Sequence, residues 1–103
     1  MPRVRVYYAR DPHDLVHPPE QAPDDHQLAK RYALVLAYDF PDVQVQDPDD
    51  IFCLLNVEPE RWVLPLPPGV LHTSMSVGDV VEMRGVRYLC LMGGWASRPI
   101  EKE

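Results

Sequence analysis

Residues Ser74–Trp95 read SMSVGDVVEMRGVRYLCLMGGW, and no other part of the chain states its secondary structure so plainly. Val80–Met83 and Val86–Met92 are rich in β-branched and apolar residues, and Arg84-Gly85 between them has the composition of a tight turn. The pattern predicts a β-hairpin. Its approach is crowded with polar groups, namely Ser74, Ser76 and Asp79. Gly93-Gly94 relieves backbone constraint before Trp95, and Ser97–Glu103 reads as a short final strand or a charged tail.

Working outward, Val4, Val6 and Tyr8 alternate with Arg3, Arg5 and Tyr7, the period of a half-buried strand with a basic outer face. Asp11–Pro23, DPHDLVHPPEQAP, holds four prolines and no periodicity, which predicts an extended surface loop. Asp24 or Asp25 can cap a short helix through Lys30 and Arg31. Tyr32–Phe40 is apolar on both parities up to Tyr38, which predicts a central strand covered on both faces over much of its length, with Val43 and Val45 continuing the extended chain past Pro41. Asp47-Pro48-Asp49-Asp50 is a strong helix start, with Pro at N1 and acids in the first turn. That helix runs to Asn56, with Ile51, Leu54 and Leu55 as its apolar stripe. Arg61–Gly69, RWVLPLPPG, suits a polyproline-like crossing segment anchored by Trp62. The fold class expected is a single α+β domain over residues 1–103. Its sheet is mixed, mainly antiparallel and of four to five strands. One face carries the 48–56 helix, with the shorter 25–31 helix beside it.

Composition bounds the function. The 103 residues are 46% hydrophobic and 25% charged, ordinary values for one globular core. No apolar run approaches the ~20 residues of a membrane span, and MPRVRVYYAR lacks the core of a signal peptide, so a cytoplasmic protein with no membrane association is expected. Cys53 and Cys90 each sit in an apolar run and read as reduced, buried side chains; there is no CxxC. His13 and His17 are four apart, but Pro12, Pro18 and Pro19 argue against a helix there, so no metal site is expected, and no cofactor motif is present. The net charge of −6 is uneven. Residues 11–60 hold twelve acids against Lys30 and Arg31, while residues 1–10 hold three arginines and no acid. That balance argues against nucleic-acid binding and suits a basic partner or simple solubility.

His72, Ser76 and Asp79 are nominally the ingredients of nucleophilic catalysis, which makes a small hydrolase-like enzyme one reading. Side chains so close along extended or turn backbone rarely converge as a triad, and no strand-to-helix elbow surrounds either serine. Local backbone bonding by Asp79, Ser74 and Ser76 is the better reading, and no catalytic residue is assigned.

DDIFCLLN, SMSVGDVVEM and YLCLMGGW together resemble the YodL-like family. Its members carry a similar Asp-Asp-Ile-Phe helix, an S-L-S-V-x-D-V-V hairpin and a Gly-aromatic ending. The matching positions are Asp49, Asp50, Ile51, Phe52, Asn56, Ser74, Ser76, Val77, Asp79, Val80, Val81, Tyr88, Cys90, Gly94 and Trp95. Met75, Gly78 and the Gly93-Gly94-Trp95 ending, where the family has Gly-Phe, depart from that pattern. The resemblance implies a small stand-alone protein, or a module of large phage and conjugative-element proteins, without an established reaction. The expected function is a noncatalytic protein-interaction or regulatory module. Its partner is an unknown protein, its oligomeric state monomer or homodimer, and its partner-binding residues Ser74, Ser76, Asp79, Trp95 and Trp62. The alternative is an acidic decoy that imitates nucleic acid to occupy a basic protein.

Overall fold

A computed structural model describes residues 4–41 and 43–100. Five strands form one antiparallel sheet: β1 (Val4–Ala9), β2 (Tyr32–Tyr38), β3 (Val80–Met83), β4 (Val86–Leu91) and β5 (Gly94–Pro99). Their order is β2-β1-β3-β4-β5. The first strand of the sequence thus enters beside the hairpin and separates it from β2. Four short helices complete the chain: α1 (Pro12–Val16), α2 (Asp25–Arg31), α3 (Pro48–Val57) and α4 (Pro59–Val63). The fold is α+β.

The hairpin forms as its sequence predicts. Arg84 and Gly85 both adopt positive φ, 52° and 76°, the backbone that a two-residue turn needs to match strand twist. Val80↔Leu89 and Val81↔Tyr88 set the register. Met92-Gly93 makes a second two-residue turn, so β5 starts at Gly94, three residues earlier than the sequence suggests. From Glu101 onward the expected tail lies outside the described residues.

Alternation sorts the side chains onto two faces. Val4, Val6, Tyr8, Val81, Met83 and Cys90 join Ile51 and Leu55 of α3 and Val63 of α4 in the larger core. Ala9, Tyr32, Val80 and Leu89 join Leu28 of α2 and Ala22 in the smaller one, with Leu15 of α1 packed against it. Burial of one such aliphatic side chain contributes ~1.5–3 kcal/mol. The helices therefore lie on both faces of the sheet, and there are two more of them than the sequence suggests.

Both added helices begin with proline. The Asp11 carboxylate accepts from the His13 N–H (2.9 Å) with Pro12 at N1, and α4 also begins at a proline, Pro59, without a side-chain cap. Pro at N1 sacrifices an N–H that has no helical partner anyway, so it starts a helix that it would break from within. Residues 12–16 are accordingly helical, not extended, and the crossing segment becomes extended only after Val63. Its Leu64-Pro65 bond is cis.

The expectation of a central second strand is overturned. β2 is an edge. Its register slips between Val6 and Tyr7, so Val35 is an extra residue opposite them. That bulge reverses the parity: Tyr32 pairs with Ala9 on the smaller-core face, Leu36 and Tyr38 with Val6 and Val4 on the larger. Apolar residues on both parities reflect this switch together with exposure of Leu34 and Tyr38, not burial on two sides. Past Pro41, residues 43–44 form a turn.

Candidate functional site

The polar approach to the hairpin closes on Asp79. Ser76–Asp79 is a β-turn, with the Asp79 N–H donating to the Ser76 carbonyl (3.1 Å). Gly78 takes φ 98°, and both it and Asp79 bond Cys90, through Gly78 N–H to Cys90 C=O (2.8 Å) and Cys90 N–H to Asp79 C=O (2.9 Å). Two residues opposing one make a bulge that ends the ladder and turns the Asp79 side chain into the sheet. The carboxylate accepts from the Ala9 N–H (2.8 Å) and the Ser76 N–H (2.9 Å) and meets His72 Nε2 at 3.0 Å. It replaces the backbone acceptor that β1 loses where β3 ends.

His72 is held on both sides. Its ring stacks on Tyr8, with centroids 4.5 Å apart and planes 12° from parallel, and the Tyr8 hydroxyl donates to the Thr73 carbonyl (2.8 Å). Burial pushes the Asp79 carboxyl above its ordinary value. The His72 hydrogen bond and charge, and the N–H groups of Ala9 and Ser76, act in the opposite direction. Burial, and then the Asp79 charge, raise the Tyr8 phenol as well.

Asp79 is wholly buried, so it cannot belong to an exposed partner-binding rim; the same bonds that end β1 withdraw it from solvent. Ser76 is half-buried, and its Oγ donates to the Val77 carbonyl (3.2 Å). Ser74 is exposed. Neither serine hydroxyl bonds His72, so a His–Asp pair exists without a nucleophile attached to it.

The two tryptophans serve different joints. Trp95 Nε1 donates to Asp49 Oδ1 (2.8 Å), and its ring stands edge-on to Phe52 and Tyr88, fastening the start of α3 to β5. Trp62 lies on α4 against Phe40 and Tyr38, with Arg61 5.0 Å from its ring. Tyr38 pairs with Val4, whereas Asp79 bonds Ala9. Trp62 is therefore at the opposite end of the sheet from Ser74–Asp79, and the five nominated residues do not form one surface.

Sequence reasoning missed three pairings. Asp14, buried on α1, is joined to Arg31. Arg87, also buried, donates to Glu82 (2.7 Å), Asp25 (2.8 Å) and the Pro23 carbonyl (2.8 Å). Burial lowers the Arg87 pKa, and the bonds to Asp25 and Glu82 outweigh it, so the net shift is upward. The hairpin register places Glu82 opposite Arg87, a signal available once Arg84-Gly85 is recognised as the turn. The third is the Ala9 N–H on Asp79, a contact across 70 residues that no local pattern announces.

Most of the acids of residues 11–60 are engaged within the fold. Asp11, Asp24 and Asp47 are N-caps, Asp50 completes a capping box, and Asp14, Asp25 and Glu58 pair with arginines. Cys90 is buried, with its thiol pushed up to about 11, chiefly by burial. Cys53 is exposed, contrary to expectation, because Ile51 and Leu55 take the inner face of α3. His13 on α1 and His17, its C-cap, have tilted rings with centroids 5.0 Å apart. Among the described residues no group of three or more His, Cys, Asp or Glu side chains could hold a metal, and no helix is long and apolar enough to cross a membrane.

Comparison of the chain with protein-family models, curated proteins and solved structures finds no match.

Proposed function

We propose that the chain is a noncatalytic protein-interaction or regulatory module acting in the cytoplasm, of the kind its YodL-like motifs suggest. One observation carries this reading: the candidate catalytic groups are already committed to the fold. Asp79 holds two backbone N–H groups and His72, and Ser76 holds a carbonyl. Two large apolar side chains are also exposed at that end of the sheet. Leu71, next to His72, is 86% exposed, and Met92, in the β4–β5 turn, is 89% exposed. Large apolar side chains left in water beside Ser74 suit a partner's surface better than a substrate's.

The test is a pull-down with the purified chain as bait, at low and high salt, alongside Leu71→Glu and Met92→Glu variants. A partner retained at high salt and lost with either variant supports the module. Capture of basic proteins that fades as salt rises and ignores both variants favours the acidic decoy and sinks this reading.

A further inference from the structure

The two edges of the sheet differ in how they are protected. β5 carries Arg98 and Pro99, a charge and a residue without an N–H, which are common means of stopping an edge from pairing. β2 carries neither. Its sequence is YALVLAY, Leu34 and Tyr38 are each 47% exposed, and no described strand pairs with its outer side. The only interruption is the bulge at Val35.

That bulge fixes which strand can pair there. The Arg10 N–H donates to the Arg31 carbonyl (3.0 Å), so the backbone of Arg31 faces β1. Alternation then turns Tyr32 outward, Ala33 inward and Leu34 outward. Val35 is the extra residue, Leu36 faces Val6, and the next outward residues are Ala37 and, past the strand end, Asp39. Tyr32 is buried and its N–H already donates to the Leu28 carbonyl of α2, so the outward positions of the strand left open to a partner are Leu34 and Ala37, three residues apart instead of two. A regular strand, spaced two throughout, meets only half of them. A strand with the same interruption meets both, and an antiparallel second copy of β2 is such a strand.

We infer that two copies of the chain join through β2, about a two-fold axis between Val35 and Leu36, into one ten-stranded sheet. Leu34 lies opposite Ala37 of the second copy. The faces agree in this register: Leu34 and Ala37 are on the smaller-core side, Tyr38 and Ala33 on the larger. In both pairs a large side chain meets a small one. The palindrome YALVLAY suggests a different axis, through Val35, but that would set Leu34 against Leu36, which is on the other face. Charge favours the antiparallel sense too. Lys30 precedes the strand and Asp39 follows it, so each basic end meets the acidic end of the other copy, whereas parallel strands would set like charges together.

The experiment is sedimentation of the full chain over a wide range of concentration, with Leu34→Lys beside it. The wild type is expected to rise from 11.8 kDa to twice that mass, and the folded Leu34→Lys chain to stay at the lower value. In a Cys53→Ser background, oxidised Leu34→Cys/Ala37→Cys should form a linked dimer, because directly opposed residues in a ladder have Cα atoms within disulfide reach. Leu34→Cys/Leu36→Cys should not. A wild type that remains at 11.8 kDa throughout overturns the inference, as does a dimer that survives Leu34→Lys or cross-links through positions 34 and 36.

Discussion

A Cβ built on Gly78 would sit 2.5 Å from the Asp14 carbonyl oxygen and 3.2 Å from the Leu15 Cα, both backbone atoms of α1. Gly78→Ala must therefore displace the helix, and it must also hold a side chain at φ 98°. The backbone penalty alone is of order 1–3 kcal/mol. Displacing α1 removes the packing of Leu15 on the smaller core and loosens the joint between Asp14 and Arg31, adding roughly 1–3 kcal/mol for partial loss of an aliphatic contact and a buried pair. Gly93 provides the control. It has a similar φ of 105°, and a Cβ there meets nothing within 4 Å. Urea unfolding of both variants separates the terms: Gly93→Ala reports the backbone penalty, and the excess for Gly78→Ala reports the contact with α1. Hydrogen exchange should show the excess concentrated at residues 12–17. If the two alanine variants lose the same stability, α1 does not depend on the missing side chain, and the reasoning is refuted.

Asp79→Ala leaves the Ala9 and Ser76 N–H groups buried without an acceptor and should cost about 3 kcal/mol or more, enough to unfold much of the population of a marginal domain; a thermal midpoint within a few degrees of wild type would contradict this. Arg87→Leu should cost about 3–5 kcal/mol because Glu82 is then buried and uncompensated, while Glu82→Leu/Arg87→Leu should recover much of the loss, a comparison read by a double-mutant cycle. Burial, followed by the Asp14 charge, pushes the Tyr32 phenol up to about 12 from 10.0, so the folded state favours the neutral form and its contribution is complete below pH 10 and lost between 10 and 12. Wild type should therefore lose ~2–3 kcal/mol more than Tyr32→Phe across that window, and at pH 7 the variant should be no less stable, since the hydroxyl it removes is buried without a partner. Thiol labelling of the native protein should modify Cys53 at once and Cys90 only on unfolding; equal rates would contradict the burial of Cys90.

Legibility followed the range of the interactions. The hairpin and α3 were readable because turn and cap chemistry is local: Arg84-Gly85 supplies two positive φ values, and Asp47-Pro48-Asp49-Asp50 supplies a capping box with Pro at N1. α1 and α4 are hard to read because proline breaks a helix from within but starts one at N1, so its position decides its effect. Pro12 and Pro59 follow a turn and start a helix, whereas Pro65 lies in chain that is already extended. The site was harder to read. Ser74, Ser76 and Asp79 stood out as polar residues gathered in sequence, but two of the partners that explain Asp79, Tyr8 through His72 and the Ala9 N–H, come from β1. No periodicity within residues 70–80 encodes that strand's arrival.

The bulge in β2 shows why an apolar strand can deceive more than a polar one. Alternation reveals a face only while the period of two is unbroken. Val35 adds one residue, and since Tyr32–Tyr38 contains no polar side chain to mark the slip, one parity and its opposite look the same. The inference of two-sided burial followed from that degeneracy. The absence of polar residues is itself informative once the strand is known to be an edge. A central strand keeps such residues out because both faces are packed, but an edge that stays in water is usually given a charge or a proline, as β5 is. β2 keeps Leu34 and Tyr38 in the open and relies on an irregular spacing of its outward backbone groups. That spacing discourages ordinary strands, which match half of it, and admits a copy of itself, which matches all of it. One inserted residue can thus limit indiscriminate pairing and specify a particular partner, and the cross-linking register at positions 34 and 37 is where those two effects can be measured together.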